Sequence, residues 1–185
     1  NTEIFVEGFP ALPTLVLIGG GHVNRAVSRL ASLLGFRMYA VDDRVEFANK
    51  ERFPEAETRV ISDYSRGLEN VSVNSNTYIV VATRGHRYDD LALAAAIRTP
   101  ARYIGLLGSR RKTLEIYKNL LKEKVPPERL REVYAPIGLN IGAITPEELA
   151  VSIMAEIIMV RNGGAGMSMK MNTVNLNILM KQEEP

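Results

Sequence analysis

Three glycine-centred turns in this sequence carry the donor groups that an anionic ligand needs. The first is Gly19-Gly20-Gly21-His22-Val23, directly after the apolar run Leu15-Val16-Leu17-Ile18. The second, Gly108-Ser109-Arg110-Arg111-Lys112, follows Tyr103-Ile104-Gly105-Leu106-Leu107. The third is Pro136-Ile137-Gly138-Leu139-Asn140-Ile141-Gly142, which runs into a helix beginning near Thr145. Backbone N–H groups at a helix start bind phosphate, and so do guanidinium and ammonium groups. The expected ligand is a phosphorylated small molecule, a nucleotide or something resembling one.

The first turn follows a strand and opens a helix, the context a dinucleotide fingerprint requires. Gly19 and Gly21 match its first two glycines, while Asn24 stands where the third belongs. Asp42 ends the second strand about 20 residues on, where an acid binds ribose hydroxyls. A tight turn that binds nothing is the competing reading. His22 lies in the first helical turn, as a cap or as a donor to phosphate or a ring. Thr83-Arg84-Gly85-His86 follows the fourth strand, and His86 is expected to face the first turn across the crevice. Asp89 and Asp90 then read as helix-start residues, where negative charge is favoured. Arg110, Arg111 and Lys112 have the wrong sign for a helix N-terminus, an anomaly that a bound anion would explain; a solvated basic helix start is the competing reading. No acid–base pair such as Tyr with Lys at i+4 stands in a catalytic place, so no catalytic residue is assigned.

The elements that must hold these turns alternate between apolar strands and helical periodicity, the mark of an α/β fold with a parallel sheet. Strands are expected at 15–18, 38–41, 58–61, 78–82 and 102–107, with a possible sixth at 132–134. Val23, Ala26, Val27, Leu30 and Leu34 give the first helix one apolar face, and Gly35 ends it. A short helix is expected through Phe47 and Arg52, and others over 89–98 and 112–122. The helix over 146–161 has Thr145 as N-cap, Pro146 at N1 and Glu148 at N3. It is apolar on nearly all sides, as a central or interface helix is. The expected fold is a Rossmann-like doubly wound parallel sheet with helices on both faces. It occupies 14–162, between an extended lead-in over 1–13 and a methionine-containing tail over 163–185.

Composition narrows the function. The 185 residues carry 23 Lys and Arg against 21 Asp and Glu, a net charge of +2. With no basic arm, nucleic acid is not an expected partner. The absence of cysteine excludes disulfides, thiolate metal sites and a cysteine nucleophile from this chain, and no metal site is assigned. No apolar run reaches the roughly 20 residues of a membrane span. A cytoplasmic, dimeric protein with no membrane partner is expected.

On these motifs the chain resembles the C-terminal domain of the XdhC/CoxI family, accessory proteins that serve molybdenum hydroxylases such as xanthine dehydrogenase. Further matching stretches are Val41-Asp42-Asp43-Arg44, Glu51-Arg52-Phe53-Pro54 and the run from Ala135 through Gly142 into Thr145-Pro146-Glu147-Glu148. The resemblance implies a non-catalytic chaperone that binds molybdenum cofactor, as molybdopterin or its dinucleotide form. It implies support for sulfuration by a cysteine desulfurase and delivery to the hydroxylase apo-subunit. Its cofactor-binding residues would be Gly19, Gly20, Gly21, His22, Val23, Asp42, Arg44, Thr83, Arg84, His86, Gly108, Ser109, Arg110, Arg111, Lys112, Gly138, Asn140 and Gly142. Asn24 and Asn140 depart from the family's usual glycine and aspartate. A cysteine-bearing N-terminal domain common in the family is missing, so a separate chain would supply it. The alternative reading is an NAD(P)-dependent oxidoreductase using the same glycine turn.

Overall fold

Apolar strands that alternate with amphipathic helices can bury both faces of a sheet only by placing helices above and below it. The computed structural model, which describes residues 11–69 and 71–170, has this arrangement. In chain order the elements are β1 Thr14–Ile18, α1 His22–Leu33, β2 Arg37–Asp42, β3 Glu57–Val60, β4 Thr77–Val81, α2 His86–Ile97, β5 Tyr103–Leu106, α3 Arg110–Lys122, α4 Pro127–Arg131 and α5 Pro146–Asn162. The five strands are all parallel, in the order β3-β2-β1-β4-β5. Residues 1–10 of the expected lead-in and residues 171–185 of the expected tail, with Met171 and Met180, lie outside the described residues. Met167 and Met169 are exposed.

Successive residues on a strand face opposite sides, so each strand feeds two cores. Val16, Ile18, Val41, Ile79, Val81, Ile104 and Leu106 point to the layer containing α2 and α3. Leu15, Leu17, Met38, Ala40, Tyr78, Val80 and Tyr103 point to the layer of α1 and α5. β1 is central and pairs with β2 on one side and β4 on the other, through Ile18↔Val41 and Ile18↔Val81 at its carboxyl end. The chain reverses its direction of winding there, and loops leaving β1 and β4 part to opposite faces.

Three expectations are corrected. The segment through Phe47 and Arg52 is a series of turns rather than a helix. Asn49 interrupts it: its side chain donates to Val45 O at 3.0 Å and accepts from Arg52 N at 2.9 Å, competing with the helical ladder. The sixth strand shrinks to one parallel bridge, Gly105↔Tyr134, because α4 and Pro136 leave little extended chain between them. Helix α2 begins at His86 rather than at Asp89, which places Asp89 within its first turn and lets that side chain point inward.

Helix α5 packs on α1 and the sheet, with its expected capping box and Pro at N1. Ala150, Ile153, Met154 and Ile157 are buried, and Val151 is half-exposed. Its Glu156 is buried too, with no cation beside it among the described residues. Glu156 Oε2 accepts from the Tyr103 hydroxyl at 2.5 Å and from the Gly138 amide at 2.9 Å. It thereby joins α5 to β5 and to the third glycine turn. Replacing Glu156 with Ala would leave the Tyr103 hydroxyl and the Gly138 N–H without a partner. Each such orphan costs about 1–3 kcal/mol, and urea denaturation of Glu156→Ala is expected to show a loss in that range or above.

Candidate anion-binding site

The glycine turn after β1 is pressed between its neighbours. Gly19 has φ of +103°, and a Cβ there would lie 2.2 Å from the Ala82 carbonyl oxygen after β4. A Cβ on Gly20 would lie 2.0 Å from the Phe47 carbonyl oxygen. Both positions require glycine, the first for conformation and space and the second for space alone. Asn24 is fully buried and donates its side-chain amide to Gly19 O at 2.7 Å and Ile18 O at 3.3 Å. Where a third glycine would let helix and strand approach, this asparagine ties the turn to the helix by hydrogen bonds.

Gly21 differs from its two neighbours. Its φ of −66° and ψ of 179° are open to any residue, and a Cβ there would meet nothing within 4 Å. It is the N-cap of α1, yet no side chain caps that helix. Gly85 repeats the pattern as N-cap of α2: extended backbone, no side-chain cap and nothing within 4 Å. The outer helices α3 and α5 are capped by Ser109 and Thr145. The first amides of a helix have no intrahelical acceptor and carry the positive end of its dipole. The sequence reading missed Gly85, whose signal is the pairing of a glycine N-cap with an adjoining parallel strand.

The charged residues divide into braces and free groups. Asp42, expected to face a ribose, is turned inward and fully buried. Its Oδ2 accepts from the Gly20 amide at 2.7 Å and from Arg44 Nη2 at 3.2 Å; its Oδ1 accepts from Arg44 N at 3.1 Å and Nε at 2.9 Å. Burial alone would raise its pKa, but these hydrogen bonds outweigh burial and hold it below the ordinary carboxylate value. Arg44 is thus committed to Asp42 rather than free for a ligand. Asp43 accepts from the Tyr64 hydroxyl at 3.0 Å and from Arg84 Nη2 at 2.6 Å. Arg84 also donates to the Tyr88 hydroxyl at 3.0 Å, so the loops after β2 and β4 are linked in front of β1. Burial, followed by the Asp42 charge, raises the Tyr64 pKa well above its usual value and keeps it a hydroxyl donor.

Lys112, expected at the ligand, is an internal brace. Its ammonium pairs with the fully buried Asp89 and donates to Leu107 O at 3.2 Å. Asp89 in turn accepts from Thr83 N at 3.0 Å and from the Thr83 hydroxyl at 2.7 Å. Asp89 therefore ties together the loops after β4 and β5. Thr83 and Ser109 are likewise spent on that pairing and on capping α3. Arg110 and Arg111 remain exposed, Arg111 at 3.6 Å from Glu115. Ser109, Arg111, Lys112 and Glu115 line a cavity of about 310 Å³. Gly108 adjoins the aliphatic part of Lys112. His22 is exposed at the first position of α1, followed by Val23. His86 opens α2, and its side chain lies outside the described residues.

The third turn lies against α5. Gly138 has φ of +96°, and a Cβ there would fall 2.4 Å from Ser152 Oγ, which itself donates to Leu139 O at 2.6 Å. Asn140 and Gly142 are exposed. Among the described residues no group of three or more His, Cys, Asp or Glu could hold a metal ion, and no helix is long and apolar enough to cross a membrane.

A parallel five-stranded sheet with glycine helix starts at its switch point defines a doubly wound α/β domain. The chain belongs to the XdhC Rossmann-domain family, whose sequence model matches residues 15–157. It is 37% identical over 165 residues to the uncharacterized protein YqeB of Escherichia coli K12, covering 89% of this chain and 30% of that protein. It is 34% identical over 161 residues to a probable xanthine dehydrogenase component of Bacillus subtilis 168, covering 87% of this chain and 47% of that protein. A crystal structure described as a xanthine dehydrogenase from Bacillus halodurans superposes with a TM-score of 0.69 at 29% identity, covering 82% of this chain and 45% of that one. The chain thus spans less than half the length of each of these relatives.

Two substitutions separate braces from free groups. Lys112→Met strands the buried Asp89 carboxylate and is expected to cost on the order of 3 kcal/mol in urea denaturation, whereas Arg111→Ala should stay within about 0.5 kcal/mol of the parent. Asp42 contributes stability fully above the unfolded carboxyl pKa of about 3.9 and loses it as pH falls through its lower folded value. Denaturation measured from pH 7 down to pH 2 should show that acid-side decline in the parent, and Asp42→Asn should lack this component.

Proposed function

We propose that this chain is the cofactor-holding domain of a maturation factor for a xanthine dehydrogenase-type molybdenum hydroxylase. It binds the phosphate end of the molybdenum cofactor, as molybdopterin or its dinucleotide form, between the starts of α1 and α2. The observation that carries this reading is the pair Gly21 and Gly85. Neither position needs glycine for its backbone or its packing, and both lack a capping side chain. A phosphate oxygen at each helix start would accept from amides that otherwise have no acceptor. The open space beside Gly21 and Gly85 fits the group in that respect, since the missing side chains leave room for a phosphate. Arg110 and Arg111, exposed beyond the loop after β5, supply positive charge to the same edge. The wrong-sign charge at the start of α3 is then balanced by the ligand.

The bound cofactor supplies the molybdenum centre that the hydroxylase uses. This chain holds the phosphate by backbone amides, and the third turn, with Asn140 and Gly142 exposed, shields the part of the ligand that projects beyond it. No residue pair here is assigned a turnover step. The relatives' names motivate the recipient, a molybdenum hydroxylase in its apo form. The remaining length of those relatives leaves room for a companion domain. A cysteine desulfurase that donates sulfur, a homodimer and a cytoplasmic location complete the proposal. The NAD(P) reading uses the same glycine turn, but the acid it needs for a ribose is buried against Gly20 and Arg44.

Gly21→Val tests the central claim. The variant should fold with unchanged melting temperature, because the side chain enters open space at an allowed conformation. Isothermal titration with molybdopterin under anaerobic conditions should show binding abolished. Arg110→Ala should weaken the same binding by about 1.5–3 kcal/mol, the usual range for a charge-assisted bond. Unchanged affinity in both variants would place the ligand elsewhere.

A further inference from the structure

A nucleotide-binding crevice at a switch point has two halves, one on each side of the central strand. In this chain they are not equivalent. On the β4 side, Gly85 faces open space. On the β2 side, the chain fills the crevice with its own residues. After Asp42 the backbone folds back over the glycine turn until the Phe47 carbonyl stands where a Gly20 Cβ would be. The Arg52 guanidinium donates from Nε to Gly20 O at 2.6 Å. The Arg44 and Arg52 guanidinium groups lie 3.5 and 4.8 Å from the Phe47 ring centroid.

This segment is anchored at both ends. Arg44 is locked onto the buried Asp42 carboxylate, and Phe53 is fully buried in the core. Between them Asn49 closes two turns, and Lys50 Nζ donates to Ala56 O at 2.8 Å. A segment so tied is a fixed wall rather than a swinging flap. It covers the carboxylate to which a second ribose would bond in a dinucleotide. Opening it would break the Arg44–Asp42 pair and leave a buried charge exposed to the ligand alone.

We propose that residues 44–52 are a built-in plug that makes this site selective for a phosphomonoester and excludes dinucleotides. The ligand's single phosphate sits at the α1 and α2 starts, and its organic part extends toward β4 and β5. This inference rests on the phosphate reading above and narrows it to the monophosphate form of the cofactor. Removing Arg44 should release this anchor and open the β2 half, exposing Asp42 to a ribose.

The test is isothermal titration of the purified chain, at one low ionic strength, with inorganic phosphate, AMP and NAD⁺ as probes. Phosphate and AMP should bind, and NAD⁺ should bind at least tenfold more weakly than AMP. Arg44→Ala should narrow that gap while leaving the phosphate affinity as in the parent, and Phe47→Ala, which keeps the Arg44–Asp42 pair and the backbone carbonyl over Gly20, should leave the gap as in the parent. The second variant is the control for a local change that leaves the plug anchored, and the parent comparison stands without either variant. NAD⁺ binding as tightly as AMP to the parent would overturn the plug while leaving the phosphate site standing. Failure of all three probes to bind would remove the phosphate site and the plug's role with it.

Discussion

The hydrogen bond from the Gly20 amide to the Asp42 carboxylate is the interaction on which the rest of this edge depends. It joins the turn after β1 to the end of β2 inside the protein, at 2.7 Å, with the carboxylate wholly out of solvent. A buried carboxylate needs compensation. Arg44 provides it from the next turn, and in doing so commits the chain after β2 to fold back over Gly20. Phe47 and Arg52 then complete the cover. One desolvated charge thus determines the shape of the glycine turn, the path of the chain that follows β2 and the closed side of the crevice.

On the other side of β1 a second buried carboxylate performs the same task. Asp89 holds Thr83 and Lys112, so the loops after β4 and β5 are held as one piece. Arg84 to Asp43 bridges the two assemblies across the front of β1. The result is a rim whose polar side chains are mostly occupied with one another. What it leaves for a ligand is backbone: the two uncapped helix starts, and the exposed arginines beyond them. Amides that are already in place need no side-chain ordering to donate to an acceptor group.

The third turn shows the same economy. Glu156 has no cation beside it among the described residues and is held by one hydroxyl and one amide. Its partners lie on β5 and in the turn itself, so α5 acts as the template for residues 136–142. Ser152 reinforces it one turn earlier on the same helix. The apolar character of α5 follows from this position between α1, the sheet and the turn.

Much of the architecture was legible from local pattern. Apolar runs marked the strands, Gly35 and Thr145 marked helix boundaries, and the alternation of strands with helices marked the parallel sheet, because these signals act within a few residues. The three glycine turns and the basic helix start were equally visible. Which of their side chains faced outward was not. Asp42 and Lys112 have the residue types and places of ligand contacts, yet both are drawn inward by partners that the fold brings close: Gly20, 22 residues from Asp42, and Asp89, across from α3. Gly21 and Gly20 are indistinguishable in the sequence. Only the tertiary structure separates them, since Gly20 meets the Phe47 carbonyl and Gly21 meets nothing. The sequence by itself determined the elements and the chemistry available at their ends, through short-range propensity. The packing of non-neighbouring loops decided which of that chemistry is spent on holding the protein together and which is left for a ligand.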